Sequence, residues 1–374
     1  MKIGILTLAI AENYGGTIQA VALYRLLQSK GHDVVLIYKV PYIPIWKSLT
    51  KKLLLKIPFH NIANLKTFNE LEKERLKRKA FHRPFIKNEI LNISDDLRTK
   101  KDLQDFATRE RFDAVIVGSD QVWRKDYIDD KFYQSFFLDF ITGTMTRKIS
   151  YAASFGKDYW EGSNDEEDIS KLLHDFTAVS TREASGTLIC KNTFNYHDAV
   201  HVLDPTLLMN KEFYLEKIIA NYDTPKSFDG GLLTYVLDEA KEKHKMITHL
   251  KNTFGLDSVN HLKGFDKSGV TYTVPEWLRS FACADYVITD SFHGMVFSII
   301  FEKDFTVVGN ANRGLDRFTS LLSLLGLMDR LVFTYDDLQN DKQESIEYKK
   351  VNKLLEVNRK LSLSFLLYGL QESK

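Results

Sequence analysis

Apolar runs alternate with amphipathic stretches along the first two hundred residues. Near-continuous apolar runs at 3–8, 34–38, 113–118, 148–153 and 176–180 predict parallel strands, because such strands are covered on both faces. Residues 13–17 read as a loop after the first run, and 18–28 carry apolar residues at helical spacing. The pattern predicts an N-terminal Rossmann-like α/β domain over residues 1–209.

A second series with the same rhythm follows a polar connection at 210–230 that bears Pro and Gly. Strands are predicted at 232–237, near 259, at 286–288 and at 305–308, and helices at 239–254, 275–283 and 295–301. This series predicts a C-terminal Rossmann-like domain over 210–345. An amphipathic helix over 343–369, in a C-terminal segment of residues 346–374, is expected to pack on the first domain. Two doubly wound domains predict a cleft between their strand ends.

Residues 41–110 interrupt the first series. Between residues 47 and 87 stand twelve Lys or Arg and three Glu, interleaved with apolar side chains. One interpretation is a basic amphipathic segment that rests on an anionic membrane surface. The other is an inserted pair of solvated helices, and the sequence leaves both open.

Composition narrows the class of protein. The chain has 374 residues, of which 44% are hydrophobic and 27% charged, as expected of a globular protein with a large core. A net charge of +1 gives no global field for nucleic acid. No apolar run reaches the roughly 18 residues of a membrane span. We expect a cytoplasmic protein with no nucleic-acid partner, and the basic segment leaves open a peripheral location at the inner face of the membrane.

Polar residues follow several predicted strands of the first domain. The loop Asn13-Tyr14-Gly15-Gly16 is not the dinucleotide fingerprint, which argues against a nicotinamide cofactor, but its N–H groups suit a phosphate or a sugar. Asp120 and Arg182 follow later strands, at the edge of the sheet where ligands bind. The alternative for Asp120 is a turn residue, and for Arg182 a salt bridge with Glu183 or another acid.

Residues 284–301 read as a strand, a tight turn and a buried helix. A helix N-terminus attracts anions, and Ser291 and His293 stand at that point. The alternative is an ordinary helix cap with a surface histidine. Arg313 and Arg317 lie in a later polar loop and are expected to meet an anion held at the turn. Arginines and a histidine at strand ends predict a small, multiply anionic substrate. We see no cluster of metal ligands and expect no metal.

Six motifs in order resemble the polysaccharide pyruvyl transferase family and cover nearly the whole chain. They are Asn13-Tyr14-Gly15-Gly16 with Gln19-Ala20, 117–123 (VGSDQVW), 150–156 (SYAASFG), 180–183 (STRE), 203–206 (LDPT) and 289–294 (TDSFHG). The resemblance implies two Rossmann-like domains facing a cleft, as in the GT-B glycosyltransferases. It implies transfer of pyruvate from phosphoenolpyruvate onto two hydroxyls of a sugar, often in a lipid-linked precursor of a capsular or other cell-surface glycan.

The resemblance also implies roles for individual residues. Arg182 matches the family's arginine that holds the phosphoenolpyruvate anion, and His293 matches its acid-catalytic histidine. Ser291 stands where many members have arginine, so Arg313 or Arg317 is expected to supply that charge. Asn13, Asp120 and the backbone of Gly15 and Gly16 are expected to bind substrate, with no cofactor beyond the donor. Rival interpretations are a GT-B glycosyltransferase that uses a sugar nucleotide, with Glu302 nearest to a ribose-binding acid, and an inactive glycan-binding relative.

Overall fold

The first half of the chain forms a parallel sheet of six strands. The computed structural model describes residues 1–8, 10, 13–40, 79–128, 130–143, 145–162, 165–263, 270–309, 314–340 and 344–371. The strand order is β2-β1-β3-β4-β5-β6, so the chain winds first to one side of β1 and then to the other. The strands are β1 (Lys2–Leu6), β2 (Asp33–Ile37), β3 (Ala114–Val117), β4 (Arg147–Ala153), β5 (Ala178–Thr181) and β6 (Val200–His201).

Helices cover both faces of this sheet, which explains why its strands are apolar throughout. They are α1 (Tyr14–Ser29), α2 (79–89), α3 (Lys100–Glu110), α4 (Glu166–His174), α5 (Ala184–Phe194) and α6 (Pro205–Leu208). α1 begins at Tyr14, so Gly15 and Gly16 lie in its first turn and not in the predicted loop. The reason is local: Asn13 caps the helix, its side chain accepting a hydrogen bond from the Gly15 N–H.

The second half forms a parallel sheet of five strands in the order β11-β10-β9-β7-β8. Its strands are β7 (Leu232–Tyr235), β8 (Val259–Lys263), β9 (Tyr286–Thr289), β10 (Asp304–Val308) and β11 (Leu331–Val332). Its helices are α7 (Lys241–Thr253), α8 (Val274–Cys283), α9 (Phe292–Ile300), α10 (Asp316–Leu325) and α11 (Tyr335–Asn340). The predicted class, two doubly wound parallel α/β units, is confirmed.

A final helix, α12 (Tyr348–Leu370), connects the two halves. Near its start, the Tyr348 hydroxyl donates to the carbonyl of Lys303 in the second half. At its end, Arg147 of β4 donates to the Leu370 carbonyl at 2.9 Å, and Gly369 lies against Ile149. The helix therefore lies across the first sheet after leaving the second.

The predicted division at residues 209/210 falls between β6 and β7, and it stays a prediction. Of the predicted insertion at 41–110, residues 41–78 lie outside the described residues, and α2 and α3 occupy much of the rest. The predicted membrane contact of this segment stays a prediction.

Candidate functional site

A cleft of about 410 Å³ lies between the carboxyl ends of the two sheets. This volume is within the roughly 300–1,000 Å³ of small-molecule sites. Both halves line it, and it includes most of the predicted site residues that the structure describes: Asn13, Gly16, Asp120, Ser291, His293 and Arg317. Arg313 lies outside the described residues.

Two helices begin at this cleft, one from each half. Asn13 caps α1 at 3.0 Å, and the Ser291 hydroxyl of α9 accepts from the Gly294 N–H at 3.4 Å. Because Ser291 caps the helix, α9 begins at Phe292 and places His293 in its first turn, earlier than predicted. Each N-terminus carries about half a positive charge. The cleft is therefore suited to an anion before any side-chain charge is counted.

Gly15 lies directly beneath the imidazole of His293. A Cβ at residue 15 would overlap the ring atoms, so only glycine allows the ring to rest on this turn of α1. Gly15 was predicted to bind substrate through its backbone, but it does not line the cleft among the described residues. The residue instead fixes where the imidazole stands.

His293 faces a buried carboxylate, that of Asp204. The His293 Nε2 lies 3.8 Å from Asp204 Oδ2, an ion-pair distance too long for a hydrogen bond, and has no hydrogen-bond partner among the described residues. Asp204 also accepts from Arg182 Nη1 at 3.0 Å, from the Ser119 hydroxyl and from Thr206. Burial alone would raise the pKa of Asp204, but His293, Arg182 and Thr206 together lower it far below its usual range.

Arg182 lies one layer behind the cleft. Its side chain is 1% exposed, between Asp204 and Asp120, whose Oδ1 is 3.6 Å from Nη2. Its guanidinium carbon is 4.7 Å from the ring centroid of Phe292. The salt bridge considered from the sequence exists, and its acids are Asp120 and Asp204. The predicted contact of Arg182 with a donor anion stays a prediction.

Arg317 presents the second guanidinium and lines the cleft from the C-terminal half. Burial, together with the charge of Arg182, lowers the pKa of Arg317 to about 10. Its guanidinium carbon is 5.8 Å from the Phe292 ring centroid, so the two arginines flank one aromatic ring. An anionic ligand at this wall would offset the repulsion between Arg182 and Arg317.

Asp120 lines the cleft from the N-terminal half. It has a left-handed φ of 73°, and its Oδ1 accepts from the Gln121 N–H at 2.9 Å, as in the turn interpretation. Its other oxygen faces Gly16, where a Cβ would lie 3.2 Å away. Asp120 is therefore both a turn residue and a residue that lines the cleft.

The sequence pattern predicted no role for Asp204, Asp290, Lys243 or Tyr127. Asp204 faces His293, and Asp290 and Tyr127 line the cleft. The Asp290 carboxylate accepts from the backbone of Leu237 and Asp238 and from Lys243 Nζ at 2.7 Å. Only the Asp-Pro-Thr sequence at 204–206, a helix-cap pattern, gave a local signal. The partners of Asp204 and Asp290 are too distant in sequence to be predicted from spacing.

Three expectations concern what surrounds the site. Glu302, the nearest guess for a ribose-binding acid, lies beyond the far end of α9 and pairs with Lys211 at 2.9 Å. Within the described ranges, no group of three or more His, Cys, Asp or Glu could hold a metal ion. None of the described helices is both long and apolar enough to span a bilayer.

Known structures share the architecture at low sequence identity. UGT89C1 from Arabidopsis thaliana superposes with a TM-score of 0.51 and 10% identity, over 98% of this chain and 99% of that one. UDP-N-acetylglucosamine 2-epimerase from Rickettsia bellii superposes with a TM-score of 0.50 and 10% identity, over 98% and 96%. These likenesses show the fold alone, which is similar to the GT-B architecture, as predicted.

Comparison with family models identifies the family, which the fold alone does not. A search of curated proteins finds no match. The family model described as polysaccharide pyruvyl transferase matches residues 13–312, which include both helix N-termini at the cleft, Asp204 and His293. The chain therefore belongs to the polysaccharide pyruvyl transferase family.

Proposed function

We propose that this transferase moves pyruvate from phosphoenolpyruvate onto two hydroxyls of one sugar and forms a cyclic ketal. The acceptor is a cell-surface polysaccharide or its lipid-linked precursor. The observation that carries the proposal is the meeting of His293, Arg317 and the α9 N-terminus at one cleft, with Asp204 behind the imidazole. Family membership supports a sugar acceptor, and the cationic cleft supports an anionic donor.

The reaction needs a proton donor beside a cationic wall. Protonation of the donor's methylene carbon creates a methyl group and an electrophilic carbon beside the ester oxygen. One sugar hydroxyl adds to that carbon and loses its proton. The second hydroxyl adds and loses its proton as phosphate leaves with the electrons of its C–O bond. The products are the ketal and inorganic phosphate, so no oxidant or reductant is required.

Each group has a position that suits one task. His293 supplies the proton, and Asp204 stabilises the imidazolium that precedes transfer. Arg317 and the α9 N-terminus bind the phosphate, which leaves, and the carboxylate, which remains on the product. Asn13, Asp120 and the backbone at Gly16 orient the acceptor hydroxyls. Arg182, one layer behind the wall, positions Asp204 and Phe292, and its positive charge favours the donor anion.

The test combines product analysis with a matched pair of variants. Purified protein receives phosphoenolpyruvate and a panel of galactose- and mannose-bearing acceptors. Phosphate release and a new ketal methyl signal by proton NMR are the readouts. His293→Gln is expected to lose about 10²–10⁴-fold in kcat, the usual worth of a positioned acid. His174→Gln, at an exposed histidine of α4, is the control and should keep full activity.

Three results would contradict the proposal. The first is turnover by His293→Gln at the level of the control. The second is thermal stabilisation by sugar nucleotides with no response to phosphoenolpyruvate, which would favour a glycosyltransferase. The third is binding of glycans with no turnover of any donor, which would favour an inactive relative.

A further inference from the structure

An exposed tyrosine, Tyr127, stands on the N-terminal wall of the cleft. Its side chain is 54% exposed, whereas the nearby aromatic residues Trp123 and Tyr133 are each 1% exposed. Large aromatic groups are normally buried because they remove much apolar surface from water. The exposed ring of Tyr127 therefore lies at a place where a ligand can cover it.

The segment that leads to Tyr127 is held by two contacts. The indole of Trp123 donates to the Phe136 carbonyl at 2.9 Å and stacks on Phe137 with a centroid separation of 5.0 Å. Lys125, two residues before Tyr127, pairs with Asp165. The ring is thus presented by a held turn, and little conformational entropy would be lost when a ligand binds.

One face of the ring is occupied by a buried cation. The Arg124 guanidinium carbon lies 4.3 Å from the Tyr127 ring centroid, and Nη1 donates to the Tyr127 hydroxyl at 3.3 Å and to Gln121 Oε1 at 3.0 Å. Arg124 is 7% exposed, and within the described part of the chain it forms no ion pair. Burying a charge is costly unless hydrogen bonds compensate, and the two that Arg124 donates also fix the orientation of the ring.

The ring shares the cleft with the anion-binding wall, since Tyr127 and Arg317 both line it. The cleft therefore has a cationic part at Arg317 and an aromatic part at Tyr127. The cationic part suits a phosphorylated acid, and the aromatic part suits the apolar C–H face of a sugar ring.

We infer that Tyr127, oriented by Arg124, is the stacking platform of the acceptor subsite and binds the C–H face of a neutral hexopyranose. That the bound sugar is the acceptor rests on the proposed function, but the binding of a saccharide can be measured without the donor. Stacking sets the distance of the sugar hydroxyls from the donor carbon, so Tyr127 contributes to acceptor specificity. The phenol itself takes no part in proton transfer.

The experiment measures saccharide binding and donor binding separately. Saturation-transfer NMR with methyl galacto-, manno- and glucopyranosides reports which sugar protons contact the wild-type protein. Titration then compares Tyr127→Ala, Tyr127→Phe and Tyr368→Ala, the last a control at a 69% exposed tyrosine of α12. We expect Tyr127→Ala to weaken the best saccharide at least fivefold. Tyr127→Phe and Tyr368→Ala should remain within twofold.

Phosphoenolpyruvate binding by calorimetry completes the design. It should be unchanged within twofold in all three variants, and their melting temperatures should match the wild type. The inference is overturned if no glycoside binds the wild type, if Tyr127→Ala binds saccharide normally, or if it loses donor affinity equally. Saccharide binding that depends on Tyr127 without any phosphoenolpyruvate binding would support the subsite and refute the proposed donor.

Discussion

The position of His293 depends on the absence of a side chain at residue 15. Gly15→Ala places a methyl group where the imidazole lies, whereas Gly16→Ala brings a Cβ only to 3.2 Å from a movable Asp120 oxygen. We expect Gly15→Ala to lower kcat at least 100-fold and Gly16→Ala to have a smaller effect. Steady-state assays of the two variants measure the difference.

Stability separates this steric effect from misfolding. Alanine is favoured over glycine inside a helix by roughly 0.5–1 kcal/mol, so neither substitution should weaken α1 itself. Gly15→Ala should therefore melt close to the wild type while losing activity. If it instead remains as active as Gly16→Ala, the imidazole does not act from the position described.

Asp204 predicts a dependence of stability on pH. Because its pKa is lowered in the folded state, its charge stabilises the fold above the unfolded pKa of about 3.9, and this is lost as pH falls toward the folded value. Removing a buried ion-pair partner costs about 3–5 kcal/mol. Asp204→Asn should show that deficit by urea denaturation between pH 5 and 7, and the deficit should shrink below about pH 4. A deficit that stays constant down to pH 3 would contradict the assignment.

At the scale of elements, the alternation of apolar and polar residues was sufficient to predict nine of the eleven strands in the described residues. The two missed strands, β6 and β11, have two residues each and lie at sheet edges, where no apolar run is needed. Helix starts were displaced at α1 and α9 because capping by Asn13 and Ser291 extends the helix beyond its apolar stretch. Periodicity locates the buried face of an element, whereas caps determine its first residue.

The candidate site was predictable only in part, for a different reason. Ser291, His293 and Arg317 were found because strand ends of one sheet meet at one edge. The contact between His293 and Gly15, and the layering of Arg182 behind Phe292, depend on how the two sheets are placed against each other. No local pattern records that placement. Arg182 is the clearest case, since its strand-end position predicts the edge of the sheet that it faces but not the burial of its guanidinium between Asp120 and Asp204.

The loop after β7 offers a test at the scale of one element. Lys243 of α7 and Asp290 after β9 form a buried pair that, with two backbone N–H groups, holds residues 237–238 at the cleft. Lys243→Met leaves the Asp290 charge buried, and we expect a loss of about 3–5 kcal/mol in the free energy of unfolding. Lys350→Met removes an exposed pair with Glu347 and should cost about 0–1 kcal/mol.

A double variant shows whether the charges or the packing matter. Lys243→Met with Asp290→Asn removes both charges, so its cost should be less than the sum of the single costs. Chemical denaturation of the four proteins gives the coupling energy. Strict additivity would mean that the two side chains do not stabilise each other.

At the scale of the molecule, one hydrophobic core joins both halves and the last helix. The same cluster of buried residues contains Ile149 of β4, Phe297 of α9 and Leu366 of α12. Tyr14 of the first half stacks on Trp277 of the second at 5.4 Å, and its hydroxyl donates to the Tyr272 carbonyl. Two sheets that share one core should unfold together, although each has its own topology.

Two leucines of α12 test this cooperativity. Leu366 is 1% exposed and Leu361 is 63% exposed on the same helix. Leu366→Ala leaves a cavity and should cost about 2–5 kcal/mol, whereas Leu361→Ala should change stability by about 0.5 kcal/mol or less. Single-tryptophan versions that retain Trp123 or Trp277 report the first and second halves separately. We expect Leu366→Ala to shift both fluorescence transitions by the same amount. A shift confined to Trp123 would mean that the halves unfold independently and that α12 stabilises only the sheet on which it ends.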